Sequence, residues 1–180
     1  TNWWDVDNYA VPTPTITIPP SESHLATDGG YKTAGTSGYT TSSGGTYNDT
    51  HADDGVTFWA EASYEGSVSS AYTEVYIWVN ITDIGLSNFK LTWDLSYGGG
   101  TLVREISVKL HYADGTTKDV SLSFSTSGTQ EFPETQTVNQ LDFIVHIKTD
   151  AVYIEGTYYS SSKAELDYVC VSPPSDTASV

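Results

Sequence analysis

Four histidines, one cysteine and twenty-three acidic side chains are the groups in this chain able to move protons, attack a carbonyl or hold a metal. His24, His51, His111 and His146 are scattered through loop and strand positions, no Gly-x-Ser-x-Gly turn occurs, and no base is paired by any motif with a hydroxyl or thiol nucleophile. Cys170 lies two residues beyond Tyr168 on the same face of the last strand and reads as a buried, inert thiol. A single cysteine excludes an internal disulfide, and no Cys/His cluster has the spacing of a zinc or iron site. Paired carboxylates for glycoside hydrolysis fit any chain this acidic. A cleft enzyme built on one sandwich of this size is unusual, so the expectation is a protein without catalysis.

Aromatic side chains offer more specific chemistry. A sugar ring stacks its apolar face on a flat exposed aromatic, a contact that aliphatic side chains do not reproduce. Tyr76 and Trp78 fall on the outward face of the run Tyr72 to Thr82, and Tyr158 and Tyr159 follow Val152. These four are the candidate carbohydrate platform. The same residues would serve equally as an aromatic layer inside a sandwich or beneath a partner subunit, because Tyr and Trp also suit protein interfaces. Two Asn-x-Thr sequons, at Asn48 and at Asn80, are candidate glycosylation sites, one in a loop and one on the outward face of its strand.

The charge balance narrows the partners. Seven Lys and Arg against twenty-three Asp and Glu leave a formal charge of −16 and a pI near 4.2, which repels nucleic-acid phosphates and anionic lipid surfaces. The longest apolar runs are strand-sized, so a membrane span is not expected. At 180 residues the chain fits one domain. Its 13% aromatics and only 17% charged residues form a β-rich profile expected outside the cell, on a cell surface or on the exterior of a virion. Beginning at Thr1 with no methionine fits either a processed mature form or loss of an initiator Met.

Alternation of apolar residues locates the elements that would position these groups. Val75, Ile77, Val79 and Ile81 repeat with a period of two, as do Phe89, Leu91, Trp93 and Leu95. Ile106, Val108 and Leu110 lead through an Asp114-Gly115 turn to Val120, Leu122 and Phe124, forming a hairpin. Leu141 to Ile147, Val152 to Tyr158 and Leu166 to Val171 supply further strands, and Val56 to Ala62 opens the series. Ala34 to Asn48 reads as a long Gly/Ser/Thr-rich loop with at most a short edge strand. No run carries a helical stripe. The expected fold is all-β, an antiparallel β-sandwich of jelly-roll type spanning residues 23–172, preceded by an extended Pro-rich arm (1–22) and followed by a short tail (173–180).

Two segments flanking this ladder resemble the galactose-binding-like jelly roll of discoidin domains and carbohydrate-binding modules. Thr50-His51-Ala52-Asp53-Asp54-Gly55 followed by Phe58-Trp59-Ala60 is similar to that family's Asp-Gly loop leading to a buried Trp. Ala164-Glu165-Leu166-Asp167-Tyr168-Val169 is similar to its closing strand. The resemblance covers roughly residues 29–172 and implies a structural calcium ion, with Asp54 and Glu165 as side-chain ligands and Asp53 and Asp167 as alternates. Calcium takes six to eight oxygens, and a Gly lets a loop turn its carbonyls inward. Without metal, the same residues form a solvated Asp-Asp-Gly turn and an ordinary strand-end Glu.

The arm invites a further expectation. Trp3 and Trp4, followed by Ile16 and Ile18 in a Thr-Ile-Thr-Ile segment, would be an aggregation liability on a free monomer. Pairing of that segment with a neighbour's sheet edge would bury them and build a homo-oligomer or polymer, such as a filament, a surface layer or an appendage. Sequence therefore supports two functions: a self-assembling structural subunit, and a carbohydrate-binding module that recognises glycans.

Overall fold

The computed structural model describes residues 15–17, 23–174 and 177–179. Among the described residues thirteen strands follow one another: β1 (Thr15–Thr17), β2 (His24–Leu25), β3 (Asp28–Gly35), β4 (Thr40–Gly44), β5 (Phe58–Gly66), β6 (Tyr72–Ile81), β7 (Leu86–Gly98), β8 (Val103–Tyr112), β9 (Thr117–Leu122), β10 (Ser127–Asp150), β11 (Val152–Ile154), β12 (Thr157–Ser172) and β13 (Thr177–Ser179). A 3₁₀ turn at Tyr47–Thr50 separates β4 from β5.

All pairings are antiparallel, and they form two layers. In the first sheet the order is β3, β6, the C-terminal half of β10, β8 and β9. In the second it is β4, β5, β12, β7 and the N-terminal half of β10. Strand β10 thus passes from one sheet to the other. Its register slips between Pro133 and Val138, where proline removes a ladder donor and the strand bends away from β7.

The alternating residues read from sequence are the inward ones. Val75, Ile77, Val79 and Ile81 of β6 and Phe143, Val145 and Ile147 of β10 are completely buried against Leu91, Ala164 and Leu166 of the second sheet. Each such aliphatic or aromatic side chain contributes roughly 1.5–3 kcal/mol by leaving water. At one end the core changes character. Thr73 and Thr149 of the first sheet meet Ser160 and Ser162 of β12 in a buried hydroxyl network, with Oγ to Oγ distances of 2.7 to 3.0 Å. The network ties the two sheets together by hydrogen bonds where apolar side chains run out.

Several segments differ from expectation. The stretch Ala34 to Asn48, read as a loop with at most a short edge strand, holds the end of β3 and the edge strand β4, whereas β3 itself, the edge of the first sheet, and Ser127 to Asn139 are strands that the alternation did not announce. Val152 to Tyr158 is not one strand but a tight hairpin. Glu155 and Gly156 both take positive φ, 48° and 93°, and turn β11 back onto β12. Trp59, expected to be buried, faces outward: Phe58 points into the core and Trp59 lies across Gly44 of β4, with Lys163 Nζ 4.9 Å from its ring centre. In the arm, Thr15–Thr17 pairs antiparallel with Thr177–Ser179 of the same chain, so over these residues the expected neighbour's edge is replaced by the chain's own C-terminal strand.

Candidate functional site

On the outer face of the first sheet, antiparallel register sets side chains in rows. Lys32, Tyr76, His146 and Glu105 form one row across β3, β6, β10 and β8, and Gly30, Trp78, Ile144 and Ser107 form the next. Trp78 lies over Gly30. A Cβ at that glycine would fall 2.8 Å from the indole Cζ2, so only glycine leaves room for the ring to lie down on the edge strand. Beside it the Tyr76 ring stacks on the His146 imidazole, with centroids 3.9 Å apart and planes 11° from parallel. Lys32, Tyr76, Trp78 and Ile144 line a shallow depression of about 340 Å³.

Polar side chains fix this aromatic surface. His146 Nε2 is 2.6 Å from Glu74 and its Nδ1 is 3.6 Å from Glu105, so the imidazole under Tyr76 is held from two strands. Burial lifts the Tyr76 hydroxyl above its ordinary pKa, and the Glu74 carboxylate adds to the shift. A second cluster borders the depression. Asp142 accepts hydrogen bonds from Asn80 Nδ2 (2.6 Å), Gln140 Nε2 (2.7 Å) and His111 Nε2 (2.7 Å). Burial acts to raise the Asp142 carboxyl, but the bonds from Gln140, His111 and Asn80 outweigh it and hold the group below the ordinary carboxylate value. The arrangement offers a flat π face, a cation and several fixed hydrogen-bonding groups, which is the chemistry that polyhydroxylated rings need.

The four aromatic candidates divide into two groups. Tyr76 and Trp78 share this face, whereas Tyr158 and Tyr159 belong to β12 at the end of the second sheet. Tyr158 packs on Tyr153, with ring centres 5.0 Å apart. Tyr159 borders a separate pocket of about 580 Å³ together with Glu61, Glu65 and Val152. They do not form one platform. Sequence reasoning missed Gly30, Lys32, Ile144 and His146. Alternation from Leu141 to Ile147 does turn Ile144 and His146 outward, but which strands flank them is set by pairing between distant segments.

The calcium ligands implied by resemblance do not converge. Asp54 Oδ1 accepts the Val56 amide at 3.0 Å in a local turn, and Glu165 pairs with Lys163 in the row beside Trp59. The alternates do meet: Asp167 accepts the Gly55 amide at 3.1 Å and contacts Asp53. Burial raises the Asp167 carboxyl, the Gly55 and Asp54 amides oppose that, and the Asp53 carboxylate raises it further. Among the described residues no group of three or more His, Cys, Asp or Glu side chains is placed to hold a metal ion. The donor set therefore does not fit a calcium site.

The remaining sites fall as follows. Asn48 is exposed in the 3₁₀ turn, and Asn80 faces outward but is committed to Asp142. Cys170 is buried beside Tyr168, with Leu25 of β2 paired to it. Of the assembly residues, Ile16 lies in β1 opposite Ala178, while Trp3, Trp4 and Ile18 fall outside the described residues. No helix among the described residues is long and apolar enough to cross a membrane.

These strands and their order define an antiparallel β-sandwich of jelly-roll type with an aromatic outer face. No family model matches the sequence, and no curated protein matches it. Among solved structures the chain is similar to the carbohydrate-binding module CBM61 in complex with β-1,4-galactotriose, at 8% identity over 78% of this chain and 86% of that one, with a TM-score of 0.36. It is similar to a family 11 carbohydrate-binding module from Clostridium thermocellum in complex with a β-1,3-1,4-mixed-linked tetrasaccharide, at 13% identity over 78% and 87% of the two chains, with a TM-score of 0.31. A third likeness is to the enzymatically active domain of tailspike protein 4 of bacteriophage CBA120, at 10% identity and a TM-score of 0.41 over 82% of this chain, which spans about a fifth of the tailspike (19%).

Proposed function

We propose that this protein is a non-catalytic glycan-binding domain whose ligand lies across Trp78 and Tyr76 on the outer face of the first sheet, acting outside the cell or on the exterior of a virion. The observation that carries the reading is the Trp78 indole laid on Gly30, which presents an aromatic plane beside the Tyr76–His146 stack. Stacking of this type is worth about 0.5–1.5 kcal/mol beyond area burial. Hydrogen bonds between Asn80 and Asp142 and between His146 and Glu74 hold the polar groups beside this face in place. No comparable observation supports self-assembly through the arm, because Thr15–Thr17 is paired within the chain.

The test is retention of the full chain on a panel of immobilised polysaccharides, with Trp78→Ala and Tyr159→Ala beside the native protein. Trp78→Ala is expected to abolish retention and Tyr159→Ala to preserve it, with no new reducing ends released from the retained polysaccharide. Equal retention of native protein and Trp78→Ala would remove this face from the account.

A further inference from the structure

We infer that the glycan bound on this face is acidic, carrying a carboxylate or sulfate that is met by Lys32. The inference rests on the glycan-binding reading above and names the ligand's chemical class. With twenty-three acids and seven Lys and Arg, each cation of this chain has more than three carboxylates available on average. Lys118 takes Glu134 and Lys163 takes Glu165. Lys109, on the same face as Lys32, stands between Asp142 and Asp119 in register. Lys32 is the cation that lines the depression beside Tyr76, Trp78 and Ile144. It is exposed on the edge strand and its register partner is Tyr76 and not an acid; like Lys90, Arg104, Lys109 and Lys148 it has no carboxylate within ion-pair distance among the described residues.

The acids near it are already engaged. Glu74 and Glu105 flank His146, and Asp142 accepts three hydrogen bonds. An ammonium left free beside a stacking surface has a use if the ring stacked on Trp78 projects an anion toward β3. A neutral sugar gains from Lys32 only an ordinary hydrogen bond. The chain's −16 charge opposes an anionic ligand as it opposes phosphates, and at about 0.1 M salt the part of it lying more than roughly 10 Å from Lys32 is largely screened.

The experiment measures affinity of the full chain for carboxylated and sulfated polysaccharides and for their carboxyl-reduced or desulfated counterparts, at about 0.1 M and 0.5 M salt. The native chain is expected to favour acidic forms by roughly two- to fivefold, the range of one exposed ion pair. High salt and Lys32→Gln should each collapse that ratio toward one. Trp78→Ala should weaken acidic and neutral forms alike. If the native chain binds neutral forms as well as acidic ones, or if Lys32→Gln keeps the ratio, the acidic-ligand inference falls while the glycan reading stands. If no member of either series is bound, both fall.

Discussion

Substituting Gly30 by alanine separates binding from stability. The new Cβ would fall 2.8 Å from Trp78 Cζ2, closer than carbon atoms pack, so the indole must rise from the strand or swing off it. If the ligand stacks on that ring, losing the contact costs about 1–1.5 kcal/mol, or roughly five- to twelvefold in affinity. Stability moves little. Alanine in a strand interior is favoured over glycine by roughly 0.5–1 kcal/mol, which offsets the lost contact between Trp78 and the backbone. At about 2–4 °C per kcal/mol for a chain of this size, the melting temperature should change by no more than about 3 °C. Gly44→Ala is the matched control: its Cβ would fall 2.6 Å from the Trp59 Nε1, displacing an indole in the same way on the opposite sheet. Isothermal titration with a polysaccharide that the native chain binds, alongside thermal unfolding, reads both quantities. Undiminished affinity in Gly30→Ala, or an equal loss in Gly44→Ala, would refute the argument that the ring on Gly30 is the binding surface.

Other consequences follow from the core and the acidic pair. Ser162→Ala removes a hydroxyl that bonds both Thr73 and Thr149, leaving buried polar atoms short of partners at a cost of about 1–3 kcal/mol. Its melting temperature should fall by roughly 3–10 °C with glycan affinity unchanged. Asp167 has a raised folded-state pKa, so its ionised form is disfavoured in the fold, and the penalty is present above that pKa and relieved as pH falls through it. Asp167→Asn is therefore expected to melt higher than the native chain at pH 7, with the advantage shrinking as pH falls toward the ordinary carboxylate range. A constant difference across the titration would contradict the assignment. Chelator or added calcium should leave the melting temperature unchanged, because Asp54 and Glu165 are each engaged elsewhere; a rise with calcium would restore the metal.

Much of the framework is legible in the sequence because side-chain alternation is a local property of extended chain. Val75 to Ile81 and Leu141 to Ile147 announce their own buried faces, and with them the outward placement of Tyr76, Trp78 and Asn80. Edge strands are less visible. β3 and β4 are rich in Gly, Ser and Thr and bury little, so their pairing is driven by backbone hydrogen bonds that no apolar pattern reports.

Register was decided only by tertiary structure. Lys32, Tyr76 and His146 are far apart in the chain, and a slip of one residue in either pairing would turn one strand's side chains over and dismantle the site. The same long-range pairing sends Tyr158 and Tyr159 to the second sheet and holds Glu165 against Lys163, away from Asp54. It also sets Gly30 beneath Trp78. Sequence fixes which face a side chain takes from its own neighbours along the strand. What stands beside it depends on pairing energies summed over two whole sheets.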